Sequence, residues 1–319
     1  MAPQAEDVEA RTEPAQDIMP LWIPLTIAAA FLQNLRSTLQ KQLTGNLSAI
    51  AATYVRFAFG LPIALVYFWG LHAVAGYAIP VPNWTFLVYC LVGGVAQVWG
   101  TALLVALFAY RNFAVGTTYS KTETVQAAIF GMLVLGDHPS LGAAAAILVS
   151  LAGVVAISIA KSHLTLGNFA RSLGEKPTLM GLGSGATFGI AAVSYRAASL
   201  SLGRPDFLMP AAFTLVTVLV IQTVVMTGWL AWREPSQLAG TARAWKISSL
   251  VGVAGSLASM GWFTAMTIEN AAYVRALGQI ELVFTFASSH FLFREKTERL
   301  ELIGILAVIG GILLLLFTR

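Results

Sequence analysis

Lys121 and Glu123 stand in a stretch, Gly116 to Asp137, that is otherwise apolar enough to sit in lipid. A charge at bilayer mid-depth costs at least about 2.5–3.5 kcal/mol on insertion scales, so an ionisable residue there marks a solute or proton pathway by default. A carboxylate withdrawn from water can exchange a proton or pair with a cationic group of a solute. Glu281 occupies the matching place, 158 residues after Glu123 and again mid-way through an apolar segment. The structural alternative for both is a carboxylate satisfied by a neighbouring hydroxyl or arginine. Lys121 lies two residues from Glu123, and residues at that spacing do not face each other on a helix. Lys121 shares its side with Thr117, Thr124 and Val125, whereas Glu123 shares its side with Tyr119, Ser120 and Gln126. A helix polar on both sides at this level is surrounded by protein or water rather than lipid. For Lys121 the alternative to solute binding is snorkelling or an ion pair with Glu281.

The other intramembrane cations are Arg36, Arg56, Arg196 and Arg275. Arg36 sits with Asn34 in the polar run "FLQNLRSTLQKQL", and Arg275 lies one turn before Gln279. Arg56 and Arg196 read as structural glue to carbonyls or carboxylates. Trp99 and Trp262 fall inside their segments, as packing filler or as cavity walls. Five cations against two central carboxylates suit a zwitterionic or anionic solute better than a cationic one. The resulting candidate set for substrate binding or coupling is Lys121, Glu123, Tyr119, Gln126, Arg275, Gln279, Glu281, Arg36, Asn34, Trp99 and Trp262.

The elements that position these residues follow from composition. The 319 residues are 57% hydrophobic and 11% charged, against about 25% charged in soluble proteins, and mean hydropathy is +0.75. This is an all-α integral membrane composition. About 20 apolar residues cross a bilayer as a helix, and ten such segments are expected: 20–41, 47–70, 83–109, 112–135, 140–160, 178–201, 206–231, 244–267, 270–293 and 300–317. The polar, acidic residues 1–19 lack the basic start and apolar core of a secretory signal and read as a disordered, uncleaved tail. Residues 161–177 read as a linker between two five-helix sets, 20–160 and 178–318. Trp22, Trp69, Trp84, Trp229, Trp232 and Trp245 lie at segment ends, as an interfacial belt requires. Loops on the side of the termini hold 3 Lys or Arg and the opposite loops 11, which by the positive-inside rule places both termini outside the cytoplasm.

Several chemistries are excluded or unsupported. One cysteine, Cys90, precludes an intrachain disulfide or a cysteine-rich metal site. There is no P-loop, G-x-S-x-G elbow or H-E-x-x-H helix, and the 4 histidines are scattered. No enzyme activity, cofactor, metal or nucleic acid is expected. Gly181, Gly185 and Gly189 make a smooth face for close helix packing; Pro62 and Pro210 are candidate kinks.

"NFAVGTTYSKTETV" from Asn112 and "NAAYVRALGQIELV" from Asn270 share the 158-residue offset, which also registers Gly153 on Gly311. Each set has an odd number of segments, so the second copy enters the membrane with opposite orientation, an inverted repeat. Each half ends in an apolar helix, a short acidic turn and a glycine-containing helix: "FGMLVLGDHPSLGAAAAILVSLAGVVAI" and "HFLFREKTERLELIGILAVIGGILLL". In this the chain resembles the drug/metabolite transporter (DMT) superfamily, in its EamA-type branch, over roughly residues 20–317. The second turn departs from the pattern, with "FREK" where the first has "LGDH". The resemblance implies ten transmembrane helices as two inverted five-helix EamA repeats. It also implies a secondary active transporter of small organic solutes, expected in the inner (plasma) membrane, without naming the solute. With the charge balance above, the expected substrate is a small polar or zwitterionic metabolite such as an amino acid. Export, alternating access around a central cavity and proton coupling are the corresponding expectations. A membrane channel, or an intramembrane enzyme without a recognisable motif, is the alternative.

Overall fold

The computed structural model describes residues 20–107, 118–162, 174–291 and 298–318. The expected acidic tail, most of the linker, Thr117 and the "FREK" turn lie outside them. Among the described residues the chain is helical, with no strand. In chain order the helices are α1 (Trp22–Leu43), α2 (Ala49–Ala58), α3 (Leu61–Ala73), α4 (Trp84–Leu107), α5 (Glu123–Leu135), α6 (Leu141–Ser162) and α7 (Lys176–Ser201). They continue as α8 (Leu208–Arg233), α9 (Pro235–Arg243), α10 (Trp245–Ile268), α11 (Ala271–Gly278), α12 (Glu281–Phe291) and α13 (Arg299–Thr318).

Local chemistry sets many of the ends. Ser48 caps α2 by accepting from the Ala51 N–H, and Asn270 caps α11 by accepting from the Ala272 N–H, each satisfying an orphan donor of the first turn. Pro177 and Pro235 occupy first-turn positions of α7 and α9, where a missing N–H costs nothing. Gly136 stops α5 in the left-handed conformation, φ 68°, which glycine adopts without a steric penalty. Pro62 follows a break at Phe59–Gly60 that splits the second expected segment into α2 and α3. Pro210 falls in the first turn of α8, so the kink expected there does not arise.

Six helical stretches among the described residues are long and apolar enough to cross a membrane: Ala49–Ala73, Trp84–Leu104, Leu141–Ala160, Leu208–Arg233, Trp245–Ile268 and Arg299–Thr318. The helices that fall short, α1, α5, α7, α11 and α12, are too polar or too short by that measure. α7 and α11 are largely buried, whereas α1 and α5 also present exposed apolar residues such as Phe31 and Leu133. Among the tryptophans expected at segment ends, Trp69, Trp84, Trp232 and Trp245 are exposed, whereas Trp22 is buried.

The two repeats interlock. α1 packs on α10 and α4 packs on α7; α5 packs on α7 and α11 on α1; α6 and α13 pack on each other. Exchanging the halves turns the first pairing into the second, the third into the fourth, and leaves the last unchanged. The helix pairing therefore has a pseudo-two-fold axis through the α6–α13 contact. That contact is made backbone to backbone: a Cβ added at Gly153 would lie 2.5 Å from the Gly304 carbonyl oxygen, and one at Gly304 2.7 Å from that of Gly153. Small residues permit this approach in a setting where lipid tails offer no hydrophobic drive for association.

Candidate functional site

The fourth and ninth expected segments are each interrupted at the same level. Residues 118–120 are helical, Lys121 and Thr122 form a turn, and α5 begins at Glu123. α11 ends at Gly278, Gln279 and Ile280 form a turn, and α12 begins at Glu281. The Lys121 and Thr122 amides bond to the Thr118 and Tyr119 carbonyls, and the Gln279 and Ile280 amides to those of Ala276 and Leu277. These i→i−3 bonds make one turn of 3₁₀ geometry in each repeat, the kind of mid-helix departure that marks hinges. Each glutamate is thereby the first residue of a helix, where the positive end of the helix dipole favours its negative charge.

α7 holds the first of these turns from behind. A Cβ at Gly185 would lie 2.9 Å from the Ser120 carbonyl oxygen, and one at Gly189 3.1 Å from the Ala127 nitrogen. The small face read from the α7 glycines is the seat of the α5 hinge.

Across the turns the charges pair in opposite halves. Lys121 Nζ lies 2.6 Å from Glu281 Oε1, and Gln33 Nε2 donates to Glu281 Oε2 at 2.7 Å. Arg275 Nη1 lies 3.9 Å from Glu123 Oε1, and its guanidinium sits 5.3 Å above the Trp262 ring. Thus the cation of each interrupted helix answers the carboxylate of the other. Gln279 Nε2 donates to Thr124 Oγ1 at 3.2 Å, stitching the same seam.

A cavity of about 880 Å³ opens beside this seam. Its wall includes Gln33, Arg36, Ser37, Gln40 and Thr44 of the α1 side, Thr53 and Arg56 of α2, and Gln97 and Thr101 of α4. Lys121, Glu123, Arg275 and Glu281 complete its charged surface. It reaches exposed Thr44 at the α1–α2 turn and ends inward at Tyr195, Trp262, Phe263 and Met266. Tyr195 and Phe263 stack there with centroids 4.5 Å apart. Beneath them Tyr195 Oη donates to the Gly93 carbonyl at 3.0 Å, and Gln222 Nε2 donates to Gln97 Oε1 at 2.6 Å, so these two buried side chains are satisfied.

Beyond this floor, Arg196 ties the halves together. Its Nη1 donates to the Met266 and Glu269 carbonyls, the former at 2.9 Å, and its Nε lies 3.9 Å from Asp137 Oδ2. Arg196 on α7 therefore clasps the end of α10 and the α5–α6 turn.

Six of the eleven expected site residues stand on the cavity wall: Arg36, Lys121, Glu123, Trp262, Arg275 and Glu281. Five do not. Tyr119 is buried. Gln126 donates back to Thr122 Oγ1 at 3.0 Å and towards the Leu182 carbonyl. Gln279 is turned to Thr124. Asn34 donates to Thr285 Oγ1 at 2.7 Å, one position around α1 from the wall. Trp99 is 61% exposed on the outer surface and is not on the wall of this cavity. Its position on α4 turns it away from Gln97 and Thr101.

Arg56, expected as structural glue, lies on the cavity wall, with its guanidinium 4.7 Å over the Phe57 ring. A signal for this face existed. Gln33, Arg36, Ser37, Gln40 and Thr44 recur at spacings of three, one, three and four, which is one polar stripe of a helix. No group of three or more potential metal ligands occurs among the described residues.

The family model of EamA-like transporters matches residues 20–159 and again 176–317. An uncharacterized transporter in the cobO 3' region of Sinorhizobium sp is similar over 103 residues, 29% identical, covering 32% of this chain and 70% of its own. One solved crystal structure of a protein matches with a TM-score of 0.70 at 14% identity, over 93% of this chain and 98% of its own. That likeness extends to the fold.

Proposed function

This chain belongs to the EamA-like transporter family, a multi-pass membrane transporter and not an enzyme family, and on that footing we propose a secondary active carrier of a small anionic or zwitterionic metabolite. The substrate class includes amino acids. Ten helices cross the inner membrane, α2–α3 and α11–α12 each counting as one interrupted crossing. The observation that carries the reading is the charge of the central cavity. Arg36, Arg56, Lys121 and Arg275 face it against Glu123 and Glu281. Lys121 and Arg275 are each matched by a carboxylate, which leaves two guanidinium groups beyond neutrality. A guanidinium offers a planar fork of donors suited to a carboxylate, and a solute carboxylate at Arg36 and Arg56 completes the balance.

The 3₁₀ turns supply the moving part. Each half-helix beyond its turn is short and is held by one cross-repeat ion pair. Opening the floor at Tyr195, Phe263 and Arg196 while closing the mouth at the α1–α2 turn alternates access to a fixed central site. Glu123, in the looser pair at 3.9 Å, is the carboxylate assigned to proton exchange, and export is the assigned direction.

The test is counterflow in proteoliposomes loaded with one unlabelled solute at a time, from amino acids, organic anions and cationic amines. Saturable counterflow of an amino acid or organic anion, reduced at least tenfold in Arg36→Gln and Arg56→Gln, is the expected result. Counterflow confined to cationic amines, or flux that is linear in concentration, overturns it.

A further inference from the structure

A second recess, of about 310 Å³, opens on the outer surface among α2, α4 and α8. Its wall is Ile50, Thr53, Val98, Trp99, Thr101, Ala102, Val225, Met226 and Trp229, and every member except the two threonines and the indole N–H groups is apolar. Both threonines are turned back on their own helices: Thr53 Oγ1 donates to the Ala49 carbonyl and Thr101 Oγ1 to the Gln97 carbonyl, each at 2.8 Å. The recess therefore offers almost no hydrogen-bonding partner. Trp99 and Trp229, on its rim, are exposed where a bilayer would lie.

Thr53 and Thr101 line this recess and also the central cavity. They form the partition between a polar chamber and an apolar one. Arg56 follows Thr53 by three residues, on the same face of α2, and lies on the cavity wall. A cation, a thin threonine wall and an apolar slot thus stand in a row.

We propose that the recess is the subsite for the alkyl chain of an amphiphilic anion whose headgroup sits at Arg56 and Arg36. This deepens the reading of the central cavity as an anion site and rests on it. An apolar cavity of about 150 Å³ holds the six carbons of a benzene ring; by that ratio the recess, of about 310 Å³, takes a chain of roughly twelve carbons. The solute reaches the site laterally, between the two tryptophans, with its chain never leaving an apolar environment. Its headgroup and chain meet at the Thr53–Thr101 seam, which borders both chambers.

The experiment is isothermal titration of straight-chain alkanoates, acetate to myristate, into the protein in lipid nanodiscs, each referenced to empty nanodiscs. Ala102→Phe and Val98→Phe, both at recess positions that touch the outer surface, fill the slot; Arg56→Gln and Arg36→Gln remove the headgroup partners. Affinity is expected to rise by up to about fourfold per methylene and to level off at roughly twelve carbons. The rise is expected to vanish in both slot-filling variants, and both arginine variants to weaken every chain length. A rise that persists in Ala102→Phe and Val98→Phe places the chain in the bilayer and overturns the subsite. Binding that depends on the arginines but not on chain length also overturns it, while leaving the anion site standing. A chain-length effect indifferent to both arginines assigns the recess to a bilayer acyl chain and overturns the link to the cavity. No binding at any length defeats the anion site and the subsite together.

Discussion

Replacing Lys121 by methionine removes the cation 2.6 Å from Glu281 and leaves that carboxylate accepting from Gln33 Nε2. The cost can be bracketed. Exposed ion pairs contribute about 0–1 kcal/mol, and breaking a fully buried pair costs about 3–5 kcal/mol, because the remaining charge is stranded. The Lys121 and Glu281 side chains are 30% and 18% exposed, at the edge of the cavity, so water softens the penalty without removing it. A loss of about 2 kcal/mol follows, roughly a thirtyfold shift in the folding equilibrium. Glu281→Gln alone is expected to cost a similar amount. Lys121→Met combined with Glu281→Gln is expected to cost less than the sum of the two by at least about 1 kcal/mol, since contacting residues couple. The reversed pair, Lys121→Glu with Glu281→Lys, is expected to recover most of the loss. It should remain up to about 1 kcal/mol short, because it puts a lysine on the first residue of α12, where the helix dipole is unfavourable to it. Reversible denaturation in mixed micelles, followed by tryptophan fluorescence, reads all of these. Single costs that add to within about 0.3–0.5 kcal/mol would refute the cross-repeat pair as the clasp of the two interrupted helices.

Other outcomes follow from the same geometry. Glu123→Gln is expected to preserve folding while flattening the pH dependence of transport, read as initial rates across pH in proteoliposomes; an unchanged profile removes Glu123 from coupling. Gly304→Val is expected to cost about 1–3 kcal/mol or more, since its Cβ would meet the Gly153 carbonyl oxygen at 2.7 Å and the Ile157 nitrogen at 2.8 Å. Yield and monodispersity in detergent check it, and wild-type behaviour would show that α6 and α13 separate easily. Arg196→Gln is expected to open the floor of the cavity, increasing thiol labelling of a cysteine placed at Ala265. Native Cys90 is fully buried and gives little background; labelling equal to that of the otherwise unaltered protein counts against Arg196 as a clasp.

Hydropathy is a local property, and in lipid every backbone polar group must be satisfied within its own helix. For that reason the membrane class, the apolar segments and the repeat offset were already legible in the amino-acid order. So were the positions of Lys121, Glu123, Arg275 and Glu281 within apolar runs, because a charge there is conspicuous wherever the helix turns. The polar stripe Gln33, Arg36, Ser37 and Gln40 was equally present, as a helical spacing. What the order could not decide was direction in space. Trp99 and Thr101 are two residues apart, yet Trp99 faces outward and Thr101 partitions two chambers. Only the packing of α4 on α7 and beside α2 settles which is which. The break of the fourth segment at Lys121–Thr122 has no proline or glycine to announce it, and it is visible only as a pair of i→i−3 bonds. The partner of each charge also comes from the fold. Lys121 meets Glu281 and Arg275 faces Glu123 because the repeats interlock about the α6–α13 axis, and that contact depends on two glycine backbones touching across 151 residues of sequence. The amino-acid order set these charges inside apolar segments, and the crossing of helices from opposite halves decided which of them share a cavity.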